Sequence, residues 1–119
     1  MEKKLEQLFL QHLNQIWNER DEALRTNAIE SVYAKDITLF EEDGKITGYD
    51  AINQKISGLL NGFPPIFTIT QLKPISINNN LGKLVWGVGP EGAPPVATGT
   101  DIAIFKDGKI KSLYIFLDK

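Results

Sequence analysis

Val96-Ala97-Thr98-Gly99-Thr100-Asp101-Ile102-Ala103-Ile104-Phe105, then Lys106-Asp107-Gly108-Lys109, then Ile110-Lys111-Ser112-Leu113-Tyr114-Ile115-Phe116-Leu117, is the stretch on which the fold turns. Two runs rich in β-branched and aromatic residues flank a turn centred on Asp-Gly, the pattern of an antiparallel hairpin. Both runs are apolar on both faces, since Leu113, Ile115 and Leu117 alternate with Tyr114 and Phe116. A sheet of this kind needs a cover on each side.

One cover is found upstream. Apolar residues at Leu5, Leu8, Phe9, Leu13, Ile16 and Trp17 predict a helix over 5–17 with one buried face. Asn18-Glu19-Arg20 interrupts it, and Asp21 caps a second helix whose stripe is Leu24, Ala28, Ile29, Val32 and Tyr33. Residues 37–40 and 45–47 read as a short hairpin around Glu41-Glu42-Asp43-Gly44. The tetrapeptide Asp-Gly-Lys-Ile occurs at 43–46 and again at 107–110, which we read as one turn chemistry used twice. A third helix over 50–60 carries Ile52, Ile56, Leu59 and Leu60 and is stopped by Asn61-Gly62 and Pro64-Pro65. Strands follow over 66–77 and 83–89, the latter with Leu84, Trp86 and Val88 on one face. Helices first, then antiparallel strands, define a single α+β domain over 1–119 with helices on one face of a curved sheet. No helix remains for the other face. Its economical cover is a second copy of the chain, meeting it through Thr98, Thr100, Tyr114 and Phe116 in a homodimer.

Composition excludes several classes of function. A formal charge of −2, with Arg20 and Arg25 set among acids, is a poor basis for binding nucleic acid. The absence of cysteine and the presence of one histidine, His12, leave no metal site to expect, and no Gly-rich phosphate loop suggests a cofactor. No apolar run approaches the roughly 20 residues of a membrane span, and Met1-Glu2-Lys3-Lys4 leads into an amphipathic helix, so a cytoplasmic protein is expected.

Four segments carry a resemblance: Trp17-Asn18-Glu19-Arg20-Asp21, Val32-Tyr33-Ala34-Lys35-Asp36-Ile37-Thr38-Leu39, Gly48-Tyr49-Asp50-Ala51-Ile52 and Asp101-Ile102-Ala103-Ile104-Phe105. In this order they resemble the NTF2-like superfamily, including its SnoaL-like and ketosteroid-isomerase-like members. The resemblance implies a cone in which a bent, mostly antiparallel sheet wraps three N-terminal helices, with an apolar pocket at its mouth. It implies that Glu41 stands where isomerase-like members keep a carboxylate base, and Asp101 where they keep a carboxyl that donates to a developing oxyanion. Leu13 and Ile56 stand where those members carry tyrosines, and Tyr33 alone can supply an aromatic of that network.

The residues themselves single out Asp101, a mid-strand acid sharing a face with Ala97, Gly99, Ala103 and Phe105. Taken by itself, Glu41 reads as part of a solvated acidic turn, Glu41-Glu42-Asp43. His12, beside the apolar stripe, reads as a partly buried helical residue. Leu13, Trp17, Tyr33, Phe40, Trp86, Val88, Ala103, Leu113 and Ile115 are the expected pocket wall. The expected function is therefore the binding of a small hydrophobic or ring-shaped ligand. The alternatives are acid/base chemistry of the isomerase or polyketide-cyclase type by Asp101 with Glu41, and a protein-assembly module.

Overall fold

In the computed structural model, which describes residues 2–119, helix α1 (Glu2–Gln11) runs on into a π-helical stretch (His12–Trp17). The wider turn is marked by the Asn18 amide, which donates to the Leu13 carbonyl five residues back (3.0 Å). In an i→i+5 turn, residues five apart stack on one face. His12 and Trp17 therefore point the same way, with Leu13 and Ile16 beside them, and all four are buried. Regular α-helix, at 3.6 residues per turn, would swing the two rings apart.

Helix α2 (Glu22–Val32) opens as expected on Asp21, whose side chain accepts from the Ala23 and Leu24 amides (2.9 and 3.2 Å). Then come β1 (Tyr33–Glu41), β2 (Gly44–Thr47), α3 (Tyr49–Gly62), β3 (Phe67–Gln71), β4 (Ser76–Asn78), β5 (Leu81–Pro90), β6 (Ala97–Lys106) and β7 (Lys109–Leu117). The strands form one open sheet in the order β2-β1-β7-β6-β5-β3, with β4 also paired to β5. Only β1 and β7 run parallel. Register irregularities in the β1–β7 and β6–β7 pairs supply the local bends by which a sheet curves.

Register sets the inner face in rows. Leu39, Leu113, Ala103 and Gly82 make one, Ile115, Asp101 and Leu84 the next, and Leu117, Gly99 and Trp86 the third. Two glycines in these rows are packing requirements. A Cβ on Gly82 would stand 2.8 Å from the Phe105 ring and 3.0 Å from Phe9, and one on Gly99 would collide with the Trp86 indole and stand 2.6 Å from the Phe116 carbonyl. Small residues here let large rings lie across the sheet.

Three expectations change. Tyr33, counted with the second helix, opens β1, so its ring enters the interior from the sheet. The strand foreseen over 66–77 is two, β3 and β4, separated by 72–75, where Pro74 has no N–H to give a ladder. The repeated Asp-Gly-Lys-Ile makes two different turns. Lys106 pairs with Lys109, and Asp107 and Gly108 take positive φ (52° and 76°). In the first copy Glu41 pairs with Gly44, which lies inside β2, and neither Asp43 nor Gly44 has positive φ. A one-residue shift in register moves glycine out of the loop.

The helices are joined by Arg25, which is 1% exposed. Its guanidinium donates to Asn53 Oδ1 (2.6 Å), to the Glu19 carbonyl (2.5 Å) and to the Ser57 hydroxyl, binding α2 to α3 with no carboxylate partner. Replacing Arg25 by Ala is expected to lower unfolding free energy by about 3 kcal/mol, because hydrogen bonds from a charged group contribute ~1.5–3 kcal/mol each and partial rehydration returns some of that. A denaturation midpoint equal to that of wild type would show that the guanidinium does not hold the helices.

Candidate functional site

Between the inner face of the sheet and the helices lies a cavity of about 440 Å³, within the size range of small-molecule sites. The π-helical stretch contributes Leu13 and Trp17, α3 Lys55 and Leu59, β3 Ile69, β5 Trp86 and Val88, β6 Ala97 and Asp101, and β7 Ile115 and Leu117. Phe63 closes one side and Glu41, the last residue of β1, stands opposite Lys55. The wall is apolar apart from Asp101 and the Glu41–Lys55 ion pair (2.5 Å), whose side chains are each about one third exposed.

Asp101 is only 5% exposed, and each carboxylate oxygen is held from the protein side. Oδ1 lies 2.8 Å from Trp86 Nε1 and Oδ2 lies 2.9 Å from His12 Nε2. His12 in turn places Nδ1 2.6 Å from the Tyr33 hydroxyl, which also receives the Trp17 indole N–H at 2.9 Å. Five side chains from four elements make one continuous chain: Trp17, Tyr33, His12, Asp101, Trp86.

Counting donors assigns the protons. Each indole gives one N–H, the phenol one O–H and a neutral imidazole one N–H: four donors for four bonds. All are used in one arrangement only. Trp17 donates to the Tyr33 oxygen, Tyr33 donates to Nδ1, His12 donates from Nε2 to Asp101, and Trp86 donates to the other carboxylate oxygen. A proton on Nδ1, whether through the other tautomer or the imidazolium, leaves the buried Tyr33 O–H without an acceptor. Every buried side-chain N and O among the described residues has a partner atom, and the arrangement that also gives every donor hydrogen an acceptor is the one with Asp101 as a carboxylate and His12 neutral. Burial pushes the Tyr33 hydroxyl far above its ordinary value near 10; the Trp17 N–H opposes that rise and the charge of Asp101 adds to it.

Of the residues read from sequence as pocket wall, Leu13, Trp17, Trp86, Val88 and Ile115 line the cavity, as do Asp101 and Glu41. Four take other places. Phe40 is on the opposite face, because Ile37, Leu39 and Glu41 take the inward positions of β1, and its ring stacks on Tyr114 (4.5 Å, 9° between planes). Tyr33 lies beyond His12, fully buried, and acts as a hydrogen-bond hub. Ala103 and Leu113 belong to the adjacent, solvent-free row of the core. His12, foreseen as a partly buried helical residue, is wholly buried and is the group that holds Asp101. A signal was present: a mid-strand acid needs a donor, and the sole histidine lies on the helix that faces the sheet. Thr98, Thr100, Tyr114 and Phe116 are on the outer face, where Thr100 pairs with Phe116 and Ile102 with Tyr114.

No family model matches the chain, and no curated protein matches it. Solved structures do. A proposed isomerase of the SnoaL-like family from Agrobacterium tumefaciens is 22% identical with TM-score 0.86, both chains being covered completely. A proposed SnoaL-like polyketide cyclase from Jannaschia is 12% identical with TM-score 0.81, over 98% of this chain and 86% of that one. A proposed ketosteroid isomerase from Kribbella flavida is 12% identical with TM-score 0.74, over 98% and 79%. The chain shares the fold of these NTF2-like and SnoaL-like structures. At these identities the likeness is one of fold, and the chemistry must be argued from the site.

Because the folded state holds the Tyr33 proton more tightly than the unfolded one, its contribution is complete below about pH 10 and is lost as pH climbs above that value. Denaturant titrations between about pH 8 and 11 should show a steeper alkaline loss of stability in wild type than in Tyr33→Phe. At pH 8 the variant should itself be less stable by about 2–4 kcal/mol, since the Trp17 N–H and His12 Nδ1 both lose a partner at ~1–3 kcal/mol each. Parallel alkaline slopes would contradict the assignment of Tyr33 as hub.

Proposed function

We propose that this chain binds a small, ring-shaped, largely apolar molecule in the cavity, with Trp17 and Trp86 along its faces and Asp101 as its deep polar contact. The observation that carries the reading is a carboxylate held in place within a roomy wall that is apolar apart from it and the Glu41–Lys55 pair. Apolar lining supplies affinity through area removed from water, and one fixed polar group supplies orientation. A second reading, acid/base chemistry of the isomerase or cyclase type, is favoured by one fact: Asp101 and Glu41 line the same cavity. On that reading Asp101 takes a proton from the bound molecule, and Glu41 joins in when its ion pair with Lys55 opens.

We propose further that the chain pairs with a second copy of itself through the outer face of the sheet. The outer face presents Tyr114 and Phe116, 36% and 49% exposed, beside Phe40 and Ile102. Packed against the same face of a second copy about a two-fold axis, this patch loses its contact with water.

Two measurements test these readings. The chain has two tryptophans, and both line the cavity, so its two indole ¹⁵N–¹H resonances report on occupancy. Titration with a panel of mono- and bicyclic aromatic compounds should shift them, and Ala97→Trp, which places a ring in the cavity wall, should weaken binding at least about tenfold. A panel that leaves both resonances unmoved at millimolar concentration would remove the ligand reading. For assembly, sedimentation at micromolar concentration should give twice 13.3 kDa, and Tyr114→Ser with Phe116→Ser should give the monomer with unchanged circular dichroism. A wild-type monomer would end the dimer reading.

A further inference from the structure

We infer that the cavity selects ligands by the sense of one hydrogen bond: it takes rings that carry a donor, a hydroxyl, an N–H or an ammonium, at their deep end, and discriminates against rings whose only polar group is an acceptor. This rests on the reading of the cavity as a ligand site and specifies the ligand class.

The argument is one of proton supply. Asp101 is the only polar side chain in the wall apart from the Glu41–Lys55 pair. Its proton-free state follows from the closed count of donors in the Trp17–Tyr33–His12–Asp101–Trp86 chain. Protonating Asp101 to make it a donor toward the cavity would still leave two N–H groups aimed at its oxygens, with one of those oxygens now a hydroxyl. Turning that proton toward His12 would require the imidazole to accept at Nε2, move its own proton to Nδ1 and orphan the Tyr33 O–H. A carboxylate has about four lone-pair sites, and two are used. The rest serve a ligand. None of the chain's donors is free to turn toward the cavity: both indole N–H groups are spent on Tyr33 and Asp101.

A hydroxyl or ammonium on the ring would complete the acceptor capacity of Asp101. A carbonyl or ether oxygen in the same place would set two acceptors against each other in a largely apolar wall, which is repulsive and leaves both unsatisfied. Sites built to hydrogen-bond a ligand group discriminate far more strongly against its absence than apolar walls discriminate on shape. The resemblance to isomerases implied that Asp101 donates to an oxyanion. The partners of Asp101 here give it the opposite sense.

The test uses three probes on one ring: 2-naphthol, 2-methoxynaphthalene and 2-acetylnaphthalene, titrated against the folded wild-type chain with the two indole resonances as readout. 2-Naphthol should bind at least about tenfold more tightly than either acceptor-only probe. Asp101→Asn offers an amide N–H2, so the preference should fall below about threefold or reverse in favour of the acetyl compound. Equal affinities of the three probes for wild type would overturn the inference and leave the cavity a ligand site. Absence of binding by all three would overturn the reading of the cavity and this inference with it. The wild-type comparison decides the matter even if Asp101→Asn fails to fold, and Trp86→Phe provides a second check, since it frees a lone pair on Asp101 and should preserve the preference for naphthol.

Discussion

A carboxylate in a dry wall is costly unless donors meet it, and much of this structure follows from meeting Asp101. His12 reaches it because α1 widens into a π-turn, which brings His12 and Trp17 onto one face. Trp86 reaches it because Gly99 opposite has no side chain and the indole can lie across the strand. Tyr33 then fixes the imidazole tautomer, and it does so from the first residue of β1. Each device alone looks like a local irregularity. Together they keep one charge buried with every buried side-chain N and O among the described residues partnered.

The arrangement also separates rigidity from reach. Asp101 is held from behind by two N–H groups, so its remaining lone pairs have a fixed direction. Glu41 is different. It is tied to a lysine at a position one third exposed, where ion pairs contribute little and exchange with water. The cavity therefore has a fixed polar point in depth and an adjustable ion pair nearer solvent.

Much of the fold was legible because it depends on periodicity. The hairpin over 96–117, the capped second helix and the inward position of Trp86 follow from spacing and turn residues, whereas for Asp101 alternation gives the residues that share its face and the family resemblance makes that face the inner one. Phe40 shows how a correct strand can carry a wrong face: the element was seen, but the inward set Ile37, Leu39, Glu41 excludes it. His12 was underread for a different reason. Its importance depends on an i→i+5 turn that no propensity scale marks, and on a partner in another part of the sheet. Which two elements face each other, and through which residues, is tertiary information.

The bond between His12 and Asp101 spans 89 residues of chain. Contacts of such separation are entropically late, since the loop between them must close before they form. Until β6 docks, the acid and the imidazole each have water as partner, and the interior of the sheet can remain hydrated. A cavity whose fixed polar point depends on this bond is therefore a product of long-range packing, and no segment of the chain taken alone carries it.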